Sequence, residues 1–125
     1  MATETKGYKE LIVWQKAMDL VPMVYGLVRT LPREELYELS SQLRRAAVSI
    51  PANIAEGQAR RHRTEFCQHL GIARGSLAEL DTLSILAVRL GYLTEVDVAG
   101  LSPIIVEIRR LLQGLIHSLE KQTIH

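Results

Sequence analysis

Apolar residues recurring at alternating gaps of three and four constrain this chain more than anything else in it, because only a helix gathers such positions onto one face. In the first segment Trp14, Ala17, Val21, Val24, Val28 and Leu31 form one such seam. Pro22 falls inside it. It offers no N–H to the carbonyl four residues back, which predicts a kink or a later effective start. Leu31-Pro32 then breaks the run, and Pro32 with Glu34 and Glu35 reads as a fresh N-terminus, with proline in the first turn and carboxylates at the positive dipole end. The second segment places Leu36, Leu39, Leu43, Ala46 and Ile50 on one face, meets Pro51, and resumes with Ile54 before Gly57. One long helix kinked at Pro51 is expected, two helices being the alternative.

Arg60-Arg61-His62-Arg63 follows as a polar connection. A third helix is expected from Thr64 as N-cap, with Phe66, Leu70, Ala73, Leu77, Leu80, Ser84 and Ala87 at heptad-like spacing. Gly91 closes it, since glycine accepts the left-handed conformation common just past a helix end. Thr94 and Asp97 stand in a capping-box relation. The last helix carries Leu101, Ile105, Ile108, Leu112, Leu115 and Leu119, opposite a polar stripe of Glu107, Arg110, Gly114, His117 and Lys121. Gly100 and Pro103 disturb its first turns, so a restart with Ser102 as cap is the alternative. These segments predict an all-α fold, an up-down-up-down antiparallel four-helix bundle. At 125 residues one domain is expected, with residues 1–8 as a flexible N-terminus.

Composition narrows the function classes. The chain is 47% hydrophobic and 23% charged, which is ordinary globular usage and argues against disorder. A single Cys excludes a disulfide framework and a Cys-rich zinc site. No apolar run approaches the roughly 18 residues a membrane span requires, and the polar opening contains no signal-peptide core. A cytoplasmic protein with no membrane association is expected. With one Trp, four Tyr and one Phe, the core must consist mainly of Leu, Ile, Val and Ala. That favours close regular packing over a ligand cavity, and no small-molecule substrate is expected.

The third helix has more apolar circumference than one bundle face uses. At 100° per residue its seam centres near Phe66, Leu77 and Ala87, while Ile72, Leu83, Leu86 and Leu90 lie roughly 100–160° away. Ile85 and Val88 fill the other flank. Either a few surface leucines are tolerated, or the second stripe is a self-association surface. On the second helix the stripe Arg45, Ser49, Ala52 and Glu56 has small residues in its middle that permit close helix approach. Self-association through Arg45, Ser49, Ala52, Glu56, Ile72, Leu83, Leu86 and Leu90 is therefore expected.

Catalytic patterns are sparse. Glu65 and His69 stand at i, i+4, but a di-iron bundle needs paired Glu-x-x-His motifs with further inward carboxylates, and none is present. His117-Ser-Leu-Glu120 has the reversed order and no mate. Cys67 reads as an inert small hydrophobe. No phosphate-binding glycine loop, nucleophile elbow or zinc motif occurs. Neither enzyme activity, metal nor cofactor is expected. Gly71 and Gly75-Ser76, in mid-helix, read as points of tight helix–helix approach.

The cations are unevenly placed. Between residues 40 and 74 lie Arg44, Arg45, Arg60, Arg61, Arg63 and Arg74 against Glu56 and Glu65, a local charge of +4 in a chain whose total is +1. All six are arginine, the side chain best suited to phosphate. Helical rise spreads Arg44 and Arg61 over about 25 Å, an elongated stripe that suits a nucleic-acid backbone, RNA or DNA, with little base specificity. The rival is a protein-interaction scaffold whose arginines pair with carboxylates between subunits.

Leu11-Ile-Val-Trp-Gln-Lys-Ala17, Gln42-Leu-Arg-Arg-Ala-Ala-Val-Ser-Ile50, Asn53-Ile-Ala-Glu-Gly57, Ile72-Ala-Arg-Gly-Ser-Leu-Ala-Glu79 and Leu90-Gly-Tyr92 stand in order along the chain. Together they resemble the bacterial four-helix-bundle family of 23S rRNA intervening-sequence proteins, from about Tyr8 to Lys121. The resemblance implies a left-handed antiparallel bundle assembling as a homopentamer, without known catalytic activity or cofactor. The motif residues also have a local reading. Asn53 can bridge to a neighbouring backbone or to Gln42, and Glu56 can pair with Arg45 or with an arginine of an adjacent subunit.

Overall fold

The computed structural model describes residues 7–122, all-α with no strand among them. Four long helices carry the fold: α1 (Ile12–Val28), α2 (Leu39–Ala59), α3 (Arg63–Arg89) and α5 (Ser102–Gln122), with a short α4 (Glu95–Ala99) between the last two. They pack in the cyclic order α1, α2, α3, α5, with α1 and α5 in contact to close the ring. Cross-contacts give the directions. Ser49 meets Ser76 while Gly57 lies against Phe66 and His69, so α2 and α3 run antiparallel. Arg63 reaches Gln122 while Asp81 pairs with Arg109, so α3 and α5 do too.

The helix ends follow local chemistry, with some departures from the sequence reading. α1 continues without interruption from Ile12 through Pro22, which is exposed, so the proline does not shift the start. Pro32 does not open a long helix. A single 3-10 turn, Arg33–Glu35, follows it, and Glu38 adopts φ −114° and ψ −101°, which delays α2 to Leu39. The Leu39 N–H then donates to Glu35 Oε1 at 3.3 Å. Pro51 sits buried inside an unbroken α2, the expected single helix. α3 starts at Arg63 with His62 as its cap position, two residues earlier than expected. Gly91 (φ +83°) ends it, with Tyr92 N–H donating to the Ala87 carbonyl and Gly91 N–H to that of Val88. This is the Schellman arrangement that glycine makes accessible. The Thr94–Asp97 capping box forms, but it caps α4, and α5 begins separately at Ser102. Residues 1–6 of the expected flexible terminus lie outside the described residues. Tyr8, by contrast, sits in a 3-10 turn with its ring edge-on to Trp14, centroids 5.3 Å apart.

The core is aliphatic, as the composition requires. Leu20, Val24, Ile50, Ile54, Leu70, Leu77, Leu80, Ile108 and Leu112 are all essentially inaccessible. Each large side chain so buried stabilises by about 1.5–3 kcal/mol. In α1 the buried line is Val13, Ala17, Leu20, Val24 and Val28, with Trp14 and Val21 only half-buried at its flank. In α5 Ile116 takes an inner place while Leu115 and Leu119 flank it.

Leu83 corrects the sequence reading, being 8% exposed and part of the core rather than on the outer stripe. Two turns of helix per seven residues fall about 20° short of closure. A seam kept at heptad spacing therefore rotates along α3, from Leu70 through Leu77 to Ser84 and from Ala73 through Leu80 to Ala87. A single seam centre taken for the whole helix averages out that drift, which carries the inner face round to Leu83 by the end of the helix. Leu83→Ala is accordingly expected to lower unfolding stability by about 2–4 kcal/mol, measured by urea denaturation.

Candidate functional site

α2 and α3 make the most extensive helix–helix contact among the described residues, and its geometry sets what lies outside it. A Cβ added to Gly57 would stand 2.6 Å from His69 Cβ and 3.1 Å from Phe66 Cδ1, so glycine is what lets the two backbones approach. Ser49 and Ser76 share a hydrogen bond of 2.8 Å across the same contact. Asn53 Nδ2 donates to the Ser49 carbonyl and to Ser49 Oγ, holding that hydroxyl in place. Asn53 thus takes the backbone partner of the two expected, not Gln42. Gly71 and Gly75 are not the approach points: nothing lies within 4 Å of a Cβ at either. Gly57 is the residue the sequence reading missed, since a glycine late in a helix looks like an approaching terminus.

Glu56 also departs from expectation. Its carboxylate pairs with Arg60 on its own helix at 3.0 Å and with His69 on α3 at 3.5 Å, instead of with Arg45. The Arg60 hydrogen bond, and then the charge of His69, hold it below the ordinary glutamate value of 4.5. His69 Nδ1–H donates to the Glu65 backbone carbonyl at 2.9 Å. Among the described residues no group of three or more His, Cys, Asp or Glu is placed to hold a metal. Cys67 is half-buried, and desolvation, followed by the charge of Glu120, raises its thiol.

On the outer side of this pair the two sequence stripes become neighbours. Ile72, Ser76, Glu79, Leu83, Leu86 and Leu90 follow one another at gaps of four and three along one flank of α3, the flank whose Ser76 touches α2. Arg45, Ser49, Ala52 and Glu56 run along the facing flank of α2, and Arg45 and Glu79 line one shallow groove together with both serines. Of the apolar members, Leu83 turns inward while Ile72 (52%), Leu86 (42%) and Leu90 (51%) stay exposed. Gly75, exposed beside Ile72, adds a mid-helix glycine with open space over it.

The arginines do not form one stripe. Arg44 lies on the α1 side of α2, its guanidinium 3.5 Å from the Leu36 carbonyl, whereas Arg45 stands on the outer face of α2 and lines both the α2–α3 groove and a hollow beside Tyr25. Arg63 donates at 2.7 Å to the Gln122 carbonyl at the end of α5. Arg74, eleven residues on, shares that α5-facing flank of α3. Arg60 is tied to Glu56, and Arg61 projects into solvent from the α2–α3 turn. At that end of the bundle Arg60, Arg61, Arg63 and Lys121 stand with Glu56, Glu65 and Glu120, so the charges nearly balance.

With this arrangement established, the comparisons identify the lineage. Residues 9–114 match the family described as 23S rRNA-intervening sequence protein. The chain belongs to that family. It is similar to a crystal structure of a protein with unknown function from the S23 ribosomal protein family of Bacteroides thetaiotaomicron. The two are 27% identical over 84% of this chain and 98% of the other, with a TM-score of 0.77. No curated protein matches the chain. No helix among the described residues is long and apolar enough to cross a membrane.

Two outcomes follow from the α2–α3 contact. Gly57→Ala trades a helix-propensity gain of about 1 kcal/mol against overpacking of about 1–3 kcal/mol. With the added carbon meeting a Cβ rather than a flexible tip, a lower melting temperature is expected by circular dichroism. Because its folded pKa is depressed, Glu56 contributes stability that is present above pH 4.5 and lost as pH falls through the lower folded value. Urea midpoints measured across that window should fall less steeply in Glu56→Gln than in the parent.

Proposed function

We propose that this family member acts by assembly rather than catalysis, as a cytoplasmic homo-oligomeric bundle whose assembled form binds nucleic-acid backbone. The observation that carries the assembly reading is the outer face of α3, where Ile72, Leu86 and Leu90 are exposed beside an open Gly75. A mid-helix glycine costs about 1 kcal/mol relative to alanine, and among the described residues nothing lies within 4 Å of a Cβ placed at Gly75. Close approach of a second copy uses that space and covers the leucines. Arg45 and Glu79, of opposite sign on the same face, supply charges that a neighbouring copy can pair with across a head-to-tail contact. A ring of five is the stoichiometry that the resemblance implies.

The nucleic-acid part is supported by the run Arg60-Arg61-His62-Arg63 at one end of the bundle. One chain offers little net field there, because Glu56 and Glu65 lie beside it. A ring repeats the protruding Arg61 around a rim, which raises the local potential without new residues. The rival scaffold reading assigns the same arginines to ion pairs between subunits.

Light scattering is expected to give a particle several times the 14.0 kDa of one chain. Ile72→Asp with Leu86→Asp should return it to monomer while circular dichroism stays helical; a wild-type monomer overturns the assembly reading. Titration with duplex and single strands at two salt concentrations tests the second part. Affinity should fall steeply with salt and drop in Arg60/Arg61/Arg63→Ala. Absence of binding at low salt removes the nucleic-acid reading, and dissolution of the oligomer by the same substitutions favours the scaffold.

A further inference from the structure

Away from the α2–α3 turn, a cationic concavity lies between α1 and α2. Three adjoining hollows there share Tyr25: one toward Val21, Pro22 and Arg29; one of about 470 Å³ toward Arg44, Arg45 and Val48; and one reaching Arg33. Among the described residues no carboxylate lines any of the three. Four guanidinium groups, Arg29, Arg33, Arg44 and Arg45, therefore share a groove whose floor is a half-buried tyrosine with Pro22 and Val48 beside it. Sequence spacing hides this cluster, because Arg29 and Arg33 belong to a segment that is neutral or acidic on average.

We propose that the α1–α2 groove is a binding site for single-stranded nucleic acid, with the arginines on phosphates and the Tyr25 ring under an unpaired base. The proposal rests on the nucleic-acid part of the reading above and gives it a place and a strand type. Arginine is the side chain matched to phosphate oxygens, so the charge selects a polyanion. The ring then distinguishes among polyanions. Tyr25 is half-buried among these arginines; a base paired and stacked within a duplex has both faces covered by its neighbours, whereas an unpaired base can offer a face to the ring. An acidic peptide satisfies the charges but leaves the aromatic and apolar floor without a planar partner. From Val21 to Arg29 the groove runs about 12 Å along α1, room for about three consecutive phosphates at 3.4 Å or more apart.

The test is fluorescence anisotropy with the intact protein and a labelled mixed-sequence DNA strand of about twelve nucleotides, its annealed duplex, and an oligoglutamate competitor, at about 50 and about 200 mM salt. The strand is expected to bind more tightly than the duplex. Arg29→Gln with Arg44→Gln should flatten the slope of log affinity against log salt by about 0.7 per phosphate contact removed. Tyr25→Leu should weaken strand binding about five- to hundredfold with the salt slope unchanged. Tyr25→Phe keeps the ring and should retain affinity within about twofold, which keeps the test decisive if the leucine variant fails to fold by circular dichroism. Equal affinity for strand and duplex overturns the proposal, as does insensitivity to Tyr25→Leu in a folded variant, loss of affinity in Tyr25→Phe, or displacement by oligoglutamate as readily as by unlabelled strand. If binding is lost in Arg60/Arg61/Arg63→Ala but survives both groove variants, this site is wrong and the broader reading stands. If no nucleic acid binds at low salt, both fall together.

Discussion

Close approach of α2 and α3 organises the rest of this molecule. Gly57 removes the one Cβ that would hold the helices apart, Ser49 and Ser76 join across the contact, and Asn53 fixes the serine that makes the joint. These are small and polar groups, so the pair is held as much by backbone proximity and satisfied hydrogen bonds as by apolar bulk. The larger aliphatic residues of both helices are turned toward α1 and α5, where Ile50, Ile54, Leu77 and Leu80 meet the inner faces of the other two.

That arrangement has an outward consequence. Once α2 and α3 sit so close, the flanks beside their contact face solvent together, and among the described residues no further helix covers Ile72, Leu86 and Leu90. The heptad drift of the α3 seam spares Leu83, drawing it into the core near the end of the helix. The short α4 and the turn at Gly91 then close that end, with the Tyr92 hydroxyl donating to Glu35 at 2.9 Å and joining it to the connection between α1 and α2. The hydrogen bond to Glu35, with burial and that carboxylate's charge behind it, pushes the Tyr92 hydroxyl above its ordinary range.

Electrostatics divides along the same lines. At the α2–α3 turn the arginines meet carboxylates and a helix-terminal carbonyl, so much of their charge is used inside the chain. Between α1 and α2 the fold gathers cations from two helices and from the 3-10 turn that joins them. A tyrosine lies among them and no carboxylate lines the hollow. Local charge counted along the chain and charge counted across the surface therefore point to different places.

The four long helices, the unbroken α2 through Pro51, the Gly91 stop and the Thr94–Asp97 box were all legible in the sequence. Each depends on interactions within a few residues: apolar spacing at 3.6 per turn, a missing N–H, a left-handed glycine, a reciprocal cap. The family resemblance was legible too, because its motifs stand in order. Residue pairs distant in sequence were not. Glu56 chose Arg60 and His69 over Arg45, Gly57 rather than Gly75 marked the close approach, Leu83 turned inward, and Arg29 and Arg33 joined Arg44 and Arg45 around Tyr25. Periodicity decides which face of a helix is apolar, whereas the rotation and depth at which two such faces dock depend on both partners at once, so only the packed bundle decided which side chains became neighbours.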